Sequence, residues 1–390
     1  MIEATPRPAN RLPLICSEAD ILLSKIGPNI TAVEAPGSRL ELASKRVLLI
    51  GGAGFLGTSI ALKLAQLGAA PLVVDQLKVN SLGALESDTY PADKRSLYTA
   101  FIQDRLAALD AANIEILVKD ARNFDSLQEA FQIHEPEVVI HLAAVAHSSR
   151  SNADPYLAFD HGLNTLENAL ELSRIQGDVQ FIYLSSSMVY GNFPSPTVTE
   201  ESPCNPLGIY GSTKFGGEKL VIAYSQISGM PYTIVRPSSV YGPGCVSRRV
   251  IQAFIENALS GHPLEVLGDG QEFQDYTFID DIGDFFTLAA ANPAAYNEIF
   301  NATRGEGRMI IEAAELVQKH FPQVEIEHTP ADPLIPKRGT LDISKAQELL
   351  GFAPTISIDA GIPRYVESYE KLSVTHPEVD VKNSAPFKHE

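Results

Sequence analysis

Tyr210-Gly-Ser-Thr-Lys214 sets a phenol and an ammonium four residues apart, which puts both on one face of a helix beginning near the tyrosine. A lysine cation favours the phenolate of a nearby tyrosine and lowers its pKa, making Tyr210 a usable base near neutral pH. An isolated YxxxK also arises by chance on exposed helices. Ser185-Ser186-Ser187 gives it weight, because the three hydroxyls follow the expected strand Gln180 to Leu184, at the edge where open parallel sheets bind ligands. A hydroxyl there holds a substrate oxygen while Tyr210 moves its proton.

A second group of residues points to a dinucleotide. Gly51-Gly-Ala-Gly54-Phe55-Leu56-Gly57 stands between an expected strand, Val47 to Ile50, and an expected helix, Thr58 to Leu67. Gly51 permits a tight turn, Gly54 lets backbone N–H groups approach a pyrophosphate, and Gly57 lets the helix pack close to the sheet. The next strand, Pro71 to Asp75, ends in a carboxylate placed to accept bonds from ribose hydroxyls and to repel a 2′-phosphate, so NAD is expected over NADP. Asp120 and Ala121 follow a later strand, Ile114 to Val118, and offer a contact to adenine, although an Asp there also serves as a helix cap. Leu142, Ala143 and Ala144 end the strand that begins at Val138 and keep the backbone small beside a cofactor; His141 before them reads as a satisfied buried histidine.

The elements that must hold these groups alternate. Short β-branched runs and helical stretches follow one another from Arg46 to Val235, which predicts an α/β fold, a doubly wound parallel sheet of Rossmann type. After Pro237 the pattern turns irregular, with helices at Val250 to Leu259 and Ile310 to Phe321, as expected of a smaller C-terminal substrate-binding lobe. The resulting division is an N-terminal arm at 1–44 with a short helix at Ser17 to Lys25, a NAD-binding domain at 45–236 to which later segments return, a lobe at 237–372 and a polar tail at 373–390.

Composition narrows the partners. The 390 residues carry 30 Lys plus Arg against 48 Asp plus Glu, a net charge of −18, so nucleic acid and anionic membrane surfaces are poor partners. Three widely spaced cysteines, Cys16, Cys204 and Cys245, suggest neither disulfides nor a zinc site and fit a cytoplasmic setting; no metal is expected. The N-terminus lacks the apolar core of a signal peptide, and the uncharged stretch from Val47 to Leu62 is too Gly-rich for a membrane span.

Taken with HLAA (141–144), SSSMVYG (185–191), RPSSVYGPG (236–244), GDGQEFQDYTFIDD (268–281) and RGTLDISKAQELLGFAPT (338–355), the chain resembles the extended short-chain dehydrogenase/reductases, specifically the NAD-dependent nucleotide-sugar epimerase/dehydratase family, over about residues 45–370. The resemblance implies Ser186 as the catalytic hydroxyl, Tyr210 as base and Lys214 as its partner, with Tyr210, Lys214 and Pro237 joining the cofactor set. It also implies tightly bound NAD, a nucleoside-diphosphate sugar as substrate and a homodimer built through helices beside Tyr210.

Departures from the family pattern bear on the reaction. Ser187 and Met188 replace the Asp-Glu pair of dehydratases, which disfavours loss of water. Ser239 stands where many relatives have Asn, and Gln274 where many have an Arg for the diphosphate. Positive charge must then come from Arg338, matching the family's late phosphate-binding arginine, and from Arg248 and Arg249. The candidate substrate residues are therefore Ser187, Ser239, Arg248, Arg249, Gln274 and Arg338. The expected activity is epimerisation of the sugar at C4 through a transient ketone. A uronic acid decarboxylase, a sugar reductase and a non-catalytic dinucleotide sensor are the alternatives.

Overall fold

The structure is a computed structural model that describes residues 42–78, 81–85, 94–145, 148–330 and 336–382. The expected helix at Ser17 to Lys25 and the arm up to residue 41 lie outside the described residues, as does the tail from 383.

Seven parallel strands form the main sheet: β1 (Arg46–Ile50), β2 (Ala70–Asp75), β3 (Ile116–Val118), β4 (Val138–His141), β5 (Gln180–Leu184), and, beyond the two-residue strand β6 (Thr197–Val198), β7 (Tyr232–Arg236), with β11 (Glu298–Asn301) on the far edge. Their order is β3-β2-β1-β4-β5-β7-β11. The order reverses between β1 and β4, which pair in parallel with Ile50 opposite His141, so a ligand crevice opens above that pair. Strand β3 starts two residues later than the sequence pattern suggests, because as an edge strand it pairs only with β2, from Ile116 onward.

The central strands are apolar on both faces because helices cover both. Alternate residues feed two cores: Val47, Leu49 and Ile140 on one side, Leu48, Ile50 and Val139 on the other. The first side receives α1 (Phe55–Gln66) and α2 (Arg95–Ala111); the second receives α3 (Phe124–His134), α4 (Thr165–Gln176) and α5 (Gly208–Ser228). Helix α1 begins three residues before the expected start, since extended Gly54 serves as its N-cap. Helix α5 stops at Gly229, whose left-handed φ of 75° closes the last turn.

After β7 the chain builds smaller sheets. Strands β8 (Ser239–Tyr241), β10 (Phe273–Phe278) and β12 (Gly307–Met309) form one, β9 (Leu264–Leu267) pairs β13 (Ile326–Thr329), and β14 (Thr340–Leu341) pairs β6. They stand with α6 (Val250–Leu259), α8 (Ile310–His320) and α9 (Ile358–Thr375). Two segments after residue 236 return to the main sheet: α7 (Ile279–Ala291) packs against α1, and β11 extends the sheet beyond β7.

Candidate active site

One cleft runs along the C-terminal ends of β1 to β5 and β7, and it gathers the turns that follow all six strands. Every residue expected to touch a dinucleotide lines it: Gly51, Gly54, Phe55, Leu56 and Gly57 after β1, Asp75 after β2, Asp120 and Ala121 after β3, Leu142, Ala143 and Ala144 after β4, then Tyr210, Lys214 and Pro237.

Two of the glycines are set by neighbouring backbone. A Cβ on Gly51, which has φ of 78°, would stand 2.7 Å from the Ala143 amide nitrogen; one on Gly57 would stand 2.4 Å from the Gly52 carbonyl oxygen. Gly54 differs, because its Cβ would meet only the Gly51 carbonyl, at 3.7 Å. No protein atom forbids a side chain there. The space that Gly54 leaves open belongs to the cleft, beside the start of α1, where N–H groups and the helix dipole suit a pyrophosphate. Asp75 receives the amides of Ala53 at 3.1 Å and Leu77 at 2.8 Å, which aims its carboxylate along the same wall. Burial raises its pKa against those two bonds and the charge of Arg105. These features fit an NAD-type cofactor held by the glycine turn, Asp75 and the small residues after β4.

At the inner end, helix α5 brings its side chains against β5. A Cβ on Gly217 would fall 2.2 Å from the Tyr183 hydroxyl, so helix and strand lie close enough for Lys214 to donate to the Leu184 carbonyl at 2.7 Å and to stand 5.1 Å from the centre of the Tyr183 ring. Ser186 caps the turn after β5, accepting from the Met188 amide at 3.2 Å, and its hydroxyl is close enough to Tyr210 to favour the phenolate. The triad therefore meets in the cleft, Ser186 and Lys214 being 8% and 4% exposed.

The electrostatics differ from the sequence expectation in one respect. Burial raises the pKa of Tyr210, and the groups that oppose it are Arg249 and the Ser186 hydroxyl. Lys214 itself is pushed down to about 7 by desolvation, with Glu218 the charge that opposes the fall. The ammonium points at a carbonyl of β5, so the cation acting on the phenol comes from Arg249 in a loop far along the chain. No local spacing announces that charge effect.

The expected substrate residues divide. Arg249 lines the cleft. Arg338 is not part of the cleft wall; its charge acts on Arg249, Tyr276 and Glu272, and burial lowers its pKa, so it lies behind Arg249. Ser239 donates to Gln274, 8% exposed, on the neighbouring strand, and neither residue is part of the cleft wall. Ser187 is 1% exposed in the 3₁₀ turn Ser187–Tyr190, its amide donating to the Pro237 carbonyl at 2.8 Å, and it is not part of the cleft wall. Arg248 is not part of that wall either. It has a φ of 55°, and its charge acts on Tyr98, away from Tyr210. A left-handed residue at 248 sends two adjacent arginines in different directions.

The structure adds Gln76, Arg105 and His161 to the cleft. Gln76 follows Asp75 and was within reach of the strand-end argument. Arg105 comes from α2, and His161 from the π turn Asp160–Asn164 before α4; neither has a spacing signature. His161 meets the Gln76 side chain at 3.1 Å, while Arg122 holds Asp120 at 2.6 to 3.2 Å and also pairs with Asp160. The Asp120 carboxylate, expected to face adenine, is thus engaged by a neighbouring guanidinium that lowers its pKa. Cys204 and Cys245 are free thiols, the second buried. Among the described residues no cluster has the makings of a metal site, and no helix is long and apolar enough to cross a membrane.

A model of the NAD dependent epimerase/dehydratase family matches residues 47–303. Among curated proteins, the UDP-glucuronate 4-epimerase of Thermodesulfobacterium geofontis is 32% identical over 325 residues, covering 82% of this chain and 94% of its own. Among solved structures, the UDP-glucuronic acid 4-epimerase of Bacillus cereus, in complex with UDP-glucuronic acid and NAD, superposes with a TM-score of 0.74 at 26% identity over 84% of this chain and 99% of its own. The UDP-glucose 4-epimerase of Thermotoga maritima, with UDP-glucose, gives 0.73 at 26% identity over 83% and 98%.

Proposed function

The chain belongs to the NAD-dependent epimerase/dehydratase family, and from that membership we propose that it is an NAD-dependent 4-epimerase of a UDP-sugar. The support is the meeting of Ser186, Tyr210 and Lys214 at the inner end of a cleft whose outer walls suit a dinucleotide. Bound NAD supplies a reversible hydride acceptor, so the reaction has no net redox change and the cofactor stays with the protein.

The chain's own groups then have defined tasks. Tyr210 takes the proton from the sugar's 4-hydroxyl and returns it after the ring has turned. Ser186, beside that phenol in the cleft, holds the sugar oxygen through both passages. Lys214 binds the cofactor ribose, and Arg249 favours the phenolate while facing, with Arg338, the diphosphate. Asp75 selects a free ribose over a 2′-phosphate. The lobe at 237–372 carries these arginines and closes the substrate side over the domain at 45–236.

Incubating the protein with UDP-glucose, UDP-galactose and the two corresponding UDP-uronic acids, and following products by NMR, tests the function. Interconversion of one C4 pair is expected, with turnover in Tyr210→Phe reduced about 10²–10⁴-fold. No turnover of any pair, or full activity in Tyr210→Phe, overturns it; carbon dioxide from a uronic acid would make the protein a decarboxylase. We extend the proposal to a homodimer, since Tyr156 and Phe159, 82% and 49% exposed, and Leu220 and Ile227, 39% and 75% exposed, leave apolar surface on Pro155–Phe159 and on α5, which are in contact. Sedimentation at a single-chain mass would refute it.

A further inference from the structure

Behind the reacting groups lies a buried ion pair for which the mechanism above has no use. Glu218, 1% exposed, stands one helical turn after Lys214 on α5, and Arg236, 3% exposed, ends β7. The two meet as a fork: Glu218 Oε1 accepts Arg236 Nε at 2.9 Å and Oε2 accepts Nη2 at 2.7 Å. Oε1 also accepts the hydroxyl of Ser185, the residue before Ser186, at 2.5 Å. Arg236 directs Nη1 to the Tyr190 hydroxyl at 3.0 Å and the Glu200 carbonyl at 3.1 Å, and the Tyr190 hydroxyl donates to Asn301 at 2.7 Å.

A full carboxylate in such a place is costly unless paired, and pairing alone seldom justifies it, because apolar residues of similar volume usually do as well. Its position is the distinguishing feature. One oxygen holds the strand end from which Ser186 projects, and the charge sits a turn from the ammonium of Lys214. We propose that Glu218, clamped by Arg236, is a positioning residue for the reaction: it fixes the β5 terminus that presents Ser186 and sets the field in which Lys214 works. This rests on the function proposed above.

Around Lys214 the other groups are few. Tyr210 and Glu218 share its helix; β5 presents the Tyr183 ring and the Leu184 carbonyl. From β4 comes His141, wholly buried, its pKa driven down to about 3 by desolvation and by Lys214 itself, so it is neutral at working pH. From β7 comes Arg236, neutralised by Glu218. Glu218 is thus the anion among these neighbours, and the one charge that raises the pKa of Lys214 against its burial.

The test uses the full chain, three test variants, Glu218→Gln, Glu218→Asp and Ser185→Ala, and Lys214→Met for signal assignment. Bound NAD and melting temperature check the fold. The kcat and KM for whichever UDP-sugar the wild type converts are measured across pH, and Lys214 is titrated by NMR with lysine-selective 13C labelling, its signal assigned by absence in Lys214→Met. In Glu218→Gln the Lys214 midpoint is expected to fall by about one unit and kcat about tenfold or more with KM little changed; Glu218→Asp restores part of both. Ser185→Ala lowers kcat severalfold without moving Lys214. A folded Glu218→Gln protein with the wild-type Lys214 midpoint and kcat overturns the proposal. Should that variant fail to fold, Ser185→Ala decides, and wild-type kcat there overturns it. The lysine titration needs no turnover, so a wild type inert toward every nucleotide sugar refutes the function while still deciding the role of Glu218 in setting Lys214.

Discussion

The two halves of the cleft are made from different materials. Around the glycine turn the cofactor half is backbone and small side chains beside the Asp75 carboxylate, supplied by the turns that directly follow strands of one sheet. The half proposed for the substrate relies on long side chains from the lobe: Arg249 at the head of α6 lines the cleft, and Arg338, before β14, lies outside that wall but near enough for the two charges to interact. A wall of backbone tolerates almost any sequence that leaves room for it and fails when a Cβ intrudes. A wall of arginines fails when a charge is lost. One scaffold can therefore keep its cofactor chemistry while the lobe changes what it accepts.

The hardest blow to the cofactor half is Gly57→Val. Its Cβ would press on the Gly52 carbonyl at 2.4 Å and the Gly52 Cα at 2.6 Å, both backbone with nowhere to go. The protein should purify without NAD and without turnover, with a loss of stability of about 1–3 kcal/mol or more, read by absorbance of the released cofactor and by thermal melting. Gly54→Ala sharpens the point, because its Cβ meets nothing closer than 3.7 Å. Stability should change little while NAD retention drops; a Gly54→Ala protein holding NAD as well as the wild type would show that the space is not the cofactor's.

Against the substrate half, Arg249→Ala and Arg338→Ala should leave NAD in place and raise KM about 10–100-fold each, the worth of one charge-assisted contact. Arg249→Ala should also lower kcat, since Arg249 favours the phenolate of Tyr210 and Arg338 exerts no such pull there. Equal effects of the two on kcat would break that distinction.

The same contrast explains what the sequence revealed. A glycine turn, a strand-terminal Asp75 and an i, i+4 Tyr–Lys pair are local patterns, and their neighbours in space are set by the parallel sheet that the alternation of elements already implies. Arg338 was legible only through resemblance. The divergence of Arg248 from Arg249 depends on one left-handed residue, and the presence of Arg105 and His161 depends on where α2 and a π turn come to rest. Those placements arise from packing between distant segments, which no spacing encodes.

Lys214 lies where the halves join, and its titration carries a stability signature. Its pKa in the folded protein is about 7, depressed by burial from 10.5. Between those values the unfolded chain binds the extra proton, so stability rises with pH from about 7 toward 10.5, and that gain is gone once the pH has fallen back to about 7. Denaturant unfolding of wild type and Lys214→Met across pH 6 to 10 should show a difference that grows in the wild type's favour above about 7. A difference flat with pH would mean that burial does not depress the pKa of the lysine, which would then keep its charge across that range.

The smallest expected effect lies at the adenine end, where side chains do enter the cofactor half. Arg122 is 29% exposed and ties Asp120 to Asp160, themselves 34% and 20% exposed. A pair so open to water contributes about 0–1 kcal/mol, so Arg122→Ala should barely shift the melting temperature. The carboxyl of Asp120, now held low chiefly by its bond to Arg122, should titrate higher. His161, whose pKa burial lowers with help from the Arg122 charge, should rise, as an NMR titration of its ring would register. NAD affinity should change less than about tenfold, because the glycine turn and Asp75 remain in place. A loss of about a hundredfold would mean that the cofactor half relies on its side chains as much as the substrate half does, and that the division between backbone and side-chain walls holds only around the pyrophosphate.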